Sequence, residues 1–232
     1  MNKLICFAHR GASGHEKENT LPAMEKAISL GAEWIELDVY AVEGELVVIH
    51  DQRLERTTNG SGYVVEKSLK YLRSLDAGNG QPIPTLREVL DLVNRRVGIN
   101  VELKGFDTAQ PTVSLVKDYV KNKGWSYDQF ILSSFNQYEL VKAKSLQPEI
   151  KIGALVAGIP LGYARFAQEL KAYSVHPYVE FLNETFVKDA HERGLKVFVF
   201  TVNHPENLAR VAALGVDGVF TNYPELVTSG TK

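Results

Sequence analysis

Apolar positions along this chain follow two alternating rhythms. Short runs dense in β-branched and aromatic residues recur at LICFAH (4–9), WIELDVY (34–40), LVVIH (46–50), GINVELK (98–104), FILSSF (130–135), KIGALV (151–156), SVHPY (174–178), LKVFVFTV (195–202) and DGVFTN (217–222). Such runs predict strands. Between most of them apolar residues return at helical spacing, with start and stop signals in place. Asn19-Thr20-Leu21-Pro22 opens one helix and Gly31 closes it, the usual order of proline first and glycine last. Thr85, followed three residues later by Glu88, predicts a capping box. Asn136, Asn183 and His204-Pro205 open later helices, and Gly194 and Gly215 close two of them.

Setting the 46–50 run aside, strands begin near residues 4, 34, 98, 130, 151, 174, 195 and 217. Eight strands, each followed by a helix or by room for one, predict an α/β chain of the (β/α)8 TIM-barrel class. A doubly wound open sheet is the competitor. Its mark would be G-x-G-x-x-G after the first strand, but residues 11–14 read GASG with His15 next. After WIELDVY the chain returns through Val42-Glu43-Gly44-Glu45 into LVVIH, a predicted hairpin. Residues 51–84, rich in Gly, Asn, Thr and charge, then form a small insertion after the second strand. At the exit of a barrel strand it lies on the catalytic face, where it is expected to cover a site. A single domain over 1–232 fits a fold that commonly takes about 200 to 250 residues. The terminal TSGTK (228–232) reads as a frayed tail.

With 44% hydrophobic and 23% charged residues and a formal net charge of −2, the chain carries no electrostatic footprint for nucleic acid. The opening MNKLICFAHRG has too short an apolar run for a signal peptide or a membrane span, so no membrane anchoring is expected. A lone Cys6 excludes an intrachain disulfide and suits a reducing compartment, with the cytoplasm the expected location. Its place in an apolar strand marks it as a core residue rather than a nucleophile.

Chemistry concentrates at strand ends. In EWIELDVY (33–40) the alternation of strand side chains puts Ile35, Leu37 and Val39 on one face and Glu36 and Asp38 together on the other. Two acids on one strand face are ordinarily a solvated surface. The third barrel strand repeats the pattern, however, with Glu102 and Lys104 sharing a face. At the C-terminal ends, where barrel enzymes keep their reactive groups, stand His9-Arg10, Glu36, Asp38, Glu102 and Lys104, with His50 ending the hairpin return. Three carboxylates at one mouth need a counter-charge. Oxygen-only ligands suit a hard divalent cation, Mg²⁺ or Ca²⁺; no cysteine or H-x-x-x-H pair accompanies them to suggest zinc. Two histidines beside such an ion suit acid–base work. Arg10 and Lys104 add fixed positive charge that matches a phosphate, or pair with the same acids.

These residues together resemble the glycerophosphodiester phosphodiesterase family. The likeness runs in order over nearly the whole chain: AHRG (8–11), ENT (18–20), ELDV (36–39), VVIHD (47–51), LERTTNGSG (54–62), IPTLRE (83–88), NVELK (100–104), SSF (133–135), VFVFTVN (197–203) and GVDGVFTNYP (215–224). It implies a bacterial, cytoplasmic-type enzyme on a TIM barrel, with one divalent metal held by Glu36, Asp38 and Glu102. It implies His9 and His50 as the acid–base pair, Arg10 and Lys104 near the phosphate, and Glu18 close to the site. The implied reaction is hydrolysis of a small-molecule glycerophosphodiester to an alcohol and glycerol 3-phosphate through a cyclic phosphate. Asp51 follows His50 directly, and strand neighbours point apart, so no pairing of the two is expected. Two positions depart from the family's commoner residues: Phe200 replaces Trp in a wall of the substrate pocket, and Asn222 replaces Asp. Neither change is expected to touch the metal ligands or the histidine pair.

An alternative on the same barrel is a lysophospholipase D-like phosphodiesterase. It would need an apolar rim, and the insertion, with YVVEKSLKYL (63–72) its most apolar part, offers little sign of one. A metal-free phospholipase would need no acidic triad, and a non-catalytic barrel would have lost site residues. His15 and His191 read as surface groups and His204 as a helix start, while Trp34 and Trp125 read as packing. His176, ending the sixth strand, is a weaker candidate for supporting the site. TTNGSG (57–62) precedes no helix of the phosphate-loop type and reads as turns within the insertion.

Overall fold

The computed structural model describes residues 3–229, so the last three residues of the predicted tail lie outside it. Nine strands form one sheet: β1 (Ile5–His9), β2 (Trp34–Val42), β3 (Glu45–Val48), β4 (Gly98–Leu103), β5 (Phe130–Ser134), β6 (Lys151–Val156), β7 (Ser174–Pro177), β8 (Lys196–Val199) and β9 (Gly218–Thr221). Their order is β1-β9-β8-β7-β6-β5-β4-β2-β3, and a further β1–β2 pairing closes the ring. All pairings in the ring are parallel, while β3 runs antiparallel to β2 outside it, as the predicted hairpin requires. This is the eight-stranded TIM barrel read from the strand count.

The wrapping helices start where the capping residues sit. Thr20 caps α1 (Leu21–Ser29) with Pro22 in its first turn, and Thr85 and Glu88 form a reciprocal capping box at α3 (Leu86–Val93). After α4 (Ala109–Asn122), Asn136 caps α5 (Gln137–Leu146); after the short α6 (Arg165–Glu169), Asn183 caps α7 (Glu184–Glu192). His204 precedes α8 (Pro205–Ala213), whose first residue is proline. Among the described residues no helix is long and apolar enough to cross a membrane.

Strand alternation sorts the barrel into layers. The outward residues Ile35, Leu37 and Val39 join the large core between strands and helices. The inward residues build a separate core, in which Phe7 packs 4.7 Å from Phe198 and 4.6 Å from Phe220, ring centre to ring centre, with Ile131 beside them. Trp34 lies across the barrel there because Gly98 faces it; a Cβ at that glycine would come within 2.5 Å of the indole. Two residues further along several of these strands, the inward positions become polar, whereas on β8 Phe198 is followed by Phe200. Phe7 is followed by His9, Trp34 by Glu36 and Asp38, and Ile131 by Ser133. Register then aligns His9 with Glu36, Glu36 with Asn100, and Asp38 with Glu102 across neighbouring strands. An apolar floor thus carries a polar mouth.

The insertion has a core of its own. It contains α2 (Leu69–Arg73) and a short 3₁₀ turn at Val64–Glu66. Its Leu54, Val64, Leu72, Leu75, Ala77 and Ile83 pack on Tyr40, Val42, Val47 and Ile49 of the hairpin. The segment rests mainly on the hairpin face that continues the inward side of β2 past Asp38, while its opening residues, Asp51 to Arg53, and Tyr63 reach the mouth. Leu72 is fully buried, so Leu72→Ala is expected to cost about 3 kcal/mol in chemical denaturation. A loss near zero would mean that the insertion is not packed as described.

Candidate active site

The β1–α1 loop is tightly constrained. Arg10 takes a left-handed backbone, φ +55°, and Gly11 follows at φ +75°, where a Cβ would come within 2.6 Å of the Ala23 backbone. That bend turns the Arg10 amide onto Glu36 Oε2 at 2.9 Å. The three residues of ENT then do three different things. Glu18 accepts from Arg10 Nη1 at 2.9 Å, Asn19 Nδ2 donates to Asp38 Oδ2 at 2.9 Å, and Thr20 caps α1. Asn19 lies in a quoted motif, yet nothing in its spacing singles it out for this contact.

All the predicted site residues meet at this mouth. Glu36 and Asp38 are buried, and Glu102 nearly so. One carboxylate oxygen from each lies within 4.8 Å of the others. Asp38 Oδ1 is buried without a hydrogen-bond partner, and Arg10 and Lys104 set two positive charges against the three acids. Burial first, and the neighbouring carboxylates second, raise Glu36 well above its ordinary value and push Glu102 up to about 7. An all-oxygen set with an orphaned oxygen and surplus negative charge fits a hard divalent cation. Phe200 lines a small cavity together with His9 and Glu36.

The two histidines are braced differently. His50 Nδ1 donates to Asp51 Oδ1 at 2.6 Å, while Lys104 Nζ approaches His50 Nε2 at 3.1 Å and donates to Glu102 Oε1 at 2.9 Å. The expectation that Asp51 and His50 point apart is therefore corrected. β3 ends at Val48, and the pair lies in a bend where strand alternation no longer applies. His9 Nδ1 donates to Asn222 Oδ1 at 2.7 Å. This corrects the expectation that Asn222 leaves the pair untouched: it lies just past β9, and its backbone N–H is fixed by Asn203 Oδ1 at 2.8 Å. Burial, then the Arg10 charge, pushes His9 down to about 4, and burial also lowers His50.

Arg56, from the insertion, ties these parts together. Its Nε and Nη2 donate to Asp51 at 2.5 and 3.0 Å, and its Nη1 and Nη2 to Glu18 at 2.7 and 2.8 Å. The Arg56 bond holds Asp51 far below the usual carboxylate range; burial would raise Glu18, but Arg56 and Arg10 bring it down to about 2. Nothing in the spacing of LERTTNGSG marks this role. The remaining histidines stand apart. His15 and His191 lie at the surface and pair with Glu225 and Asp217. His176 is buried between Phe198 and Phe220, and it faces the same small cavity as His9.

Arg56→Ala is expected to lower kcat about ten- to a hundredfold with little change in KM, since it loosens Asp51 and hence His50, and Arg56→Lys should recover part of the loss. An unchanged kcat would show that His50 needs no such brace. A second outcome concerns stability in the absence of divalent ions. Glu102 is raised on folding, so its contribution is fully present below 4.5 and is lost as pH rises to about 7. Added Mg²⁺ or Ca²⁺ should therefore raise Tm more above this window than below it. A pH-independent increment in Tm would count against the carboxylates as ligands.

With this geometry in view, the relatives are informative. Residues 9–226 match the glycerophosphoryl diester phosphodiesterase family. A glycerophosphodiester phosphodiesterase from Caldanaerobacter subterraneus subsp. tengcongensis is 37% identical over 96% of this chain and 96% of its own. Another, from Bacillus subtilis, is 34% identical over 97% of this chain and 85% of its own. Among solved structures, an Oleispira antarctica phosphodiesterase in complex with the product sn-glycerol-3-phosphate has a TM-score of 0.88, with 33% identity over 97% of this chain and 96% of that one. A polar barrel mouth built on these motifs, in a chain matched over nearly its whole length, places this protein in the glycerophosphoryl diester phosphodiesterase family.

Proposed function

We propose that this chain, acting as one catalytic domain, hydrolyses deacylated phospholipids such as glycerophosphocholine or glycerophosphoethanolamine to the alcohol and glycerol 3-phosphate. The single observation that carries the reading is the convergence of two braced imidazoles on one cluster of three carboxylates. Glu36, Asp38 and Glu102 would hold one divalent cation, Mg²⁺ or Ca²⁺. When bound, it supplies positive charge that acidifies a glycerol hydroxyl and offsets charge on the phosphate.

The protein's own groups do the rest. Arg10 and Lys104 draw the phosphate into the mouth and orient it. Both histidines donate from Nδ1 to a brace, which turns each Nε2 toward proton transfer, with Lys104 Nζ lying beside that of His50. One imidazole takes the proton of the glycerol hydroxyl as its oxygen attacks phosphorus. The phosphorus–oxygen bond to the alcohol breaks, and the other imidazole gives that alcohol its proton. The roles then reverse as water opens the cyclic phosphate. Phe200 supplies an apolar wall beside the glycerol. A cytoplasmic setting fits the single buried Cys6, whose thiol burial pushes up to about 12.

Released glycerol 3-phosphate, measured over a panel of diesters, tests this. After EDTA treatment turnover should vanish, and Mg²⁺ or Ca²⁺ should restore it. His9→Ala and His50→Ala should each cost about a thousandfold in kcat while cation-induced stabilisation survives. Near-normal turnover in either variant would remove that histidine from proton transfer.

A further inference from the structure

Between the carboxylate cluster and the aromatic floor lies a small cavity of about 20 Å³, room for a single water-sized group. His9, Glu36 and Glu102 border it, so it adjoins the reacting groups. Asn100 reaches it from β4 and His176 from β7, between apolar walls that include Phe200 and Phe220. Asn100 stands in register with Glu36 on the neighbouring strand. Few polar groups converging in an otherwise apolar hollow are the usual make-up of a ligand site.

Asn100 and His176 are each tied at one end only. Asn100 Nδ2 donates to Ser133 Oγ at 2.8 Å, while Asn100 Oδ1 is buried with no hydrogen-bond partner among the described residues. His176 Nε2 lies 2.8 Å from Ser174 Oγ, and its Nδ1 is buried and equally unpartnered among those residues. Asn100 is 1% exposed and His176 0%. A buried polar atom left unpaired is costly, and here two of them line one cavity. The fold makes room for the imidazole: a Cβ at Gly153 would come within 2.4 Å of it. Phe198 at 5.5 Å and Phe220 at 5.1 Å, ring centre to ring centre, hold the ring in place. Burial pushes His176 down to about 3, so it is neutral and adds no charge beside the carboxylates. The two orphaned atoms are complementary as well. Asn100 Oδ1 only accepts, and His176 Nδ1 donates once Ser174 Oγ donates to Nε2. A hydroxyl group both donates and accepts.

We propose that Asn100 and His176 form a subsite for the terminal hydroxyl of the substrate's glycerol, one carbon beyond the hydroxyl that attacks phosphorus. The proposal rests on the phosphodiesterase reading of the mouth. The terminal hydroxyl donates to Asn100 Oδ1 and accepts from His176 Nδ1, and no bond to its oxygen breaks during the reaction. Holding it fixes the rotation of the glycerol and keeps the neighbouring hydroxyl aimed at phosphorus. The pair therefore selects glycerol diesters over those of a diol that lacks this oxygen, since such a diol leaves both buried groups unpaired.

The test compares kcat/KM of the full chain, with Mg²⁺, on glycerophosphocholine and on propane-1,2-diol phosphocholine, which keeps the attacking hydroxyl and carries a methyl group in place of the terminal CH₂OH. The deoxy diester should be about 10- to 100-fold poorer. His176→Leu and Asn100→Ala, made separately, should each narrow that gap to about threefold by lowering turnover of the glycerol diester more than that of its analogue. His176→Asn, whose amide reaches the place of Nδ1, should restore part of the preference. Cation-induced stabilisation checks that each variant keeps a folded mouth. Equal kcat/KM on the two diesters in the unaltered enzyme overturns the proposal, with no variant needed. A preference that survives both replacements overturns it too, because those polar atoms would then be holding water only. Equal turnover sinks the subsite alone, whereas no turnover on any diester sinks the phosphodiesterase reading and this proposal with it.

Discussion

Holding three carboxylates together, away from water, is the constraint around which this mouth is arranged. At an effective dielectric near 20, two such charges about 5 Å apart repel by about 3 kcal/mol, and Glu36, Asp38 and Glu102 form three such pairs. Arg10 and Lys104 offset part of that repulsion. Arg10 is shared with Glu18, and Lys104 with His50, so neither is free to neutralise one acid outright. The raised Glu36 and Glu102 register the imbalance. The left-handed turn at Arg10, the Asn19 amide on Asp38 and the Arg56 bridge to Glu18 all serve the same cluster from different stretches of chain.

The barrel supplies the rigidity this needs. Because side chains alternate along a strand, inward Phe7 and Trp34 are followed two residues later by inward His9 and Glu36, and the register of β1, β2 and β4 places those polar groups side by side. Floor and mouth are therefore one pattern. A strand slipped by one residue would bury Leu37 where Glu36 belongs and lose both.

That regularity explains what could be read without coordinates. The eight strands, the hairpin, the capping residues and the facing of Glu36, Asp38, Glu102 and Lys104 all follow from periodicities of two or 3.6 residues. Where the backbone leaves a regular element, periodicity says nothing. Asp51 lies in a bend past Val48, the last residue of β3, and Asn222 directly follows Thr221, the last residue of β9. Asp51 turns back to brace His50, a direction that alternation would have denied, and Asn222 braces His9 from just past its strand's end. Arg56 sits deeper in the insertion, and only the fold of the segment against the hairpin carries it to Asp51. Asn100 and His176 likewise lie on strands distant in sequence and meet at one cavity only when the barrel closes.

The aromatic floor has one more consequence. Phe7, Phe198, Phe220 and Ile131 fill the barrel's interior beneath the site, so groups reach it from the open end of the barrel. In the reaction proposed above, a departing alcohol and an arriving water would share that passage, since in-line displacement asks the water to come from the side the alcohol has vacated. Under the proposed mechanism, the alcohol would have to clear that passage before water could reach the phosphorus.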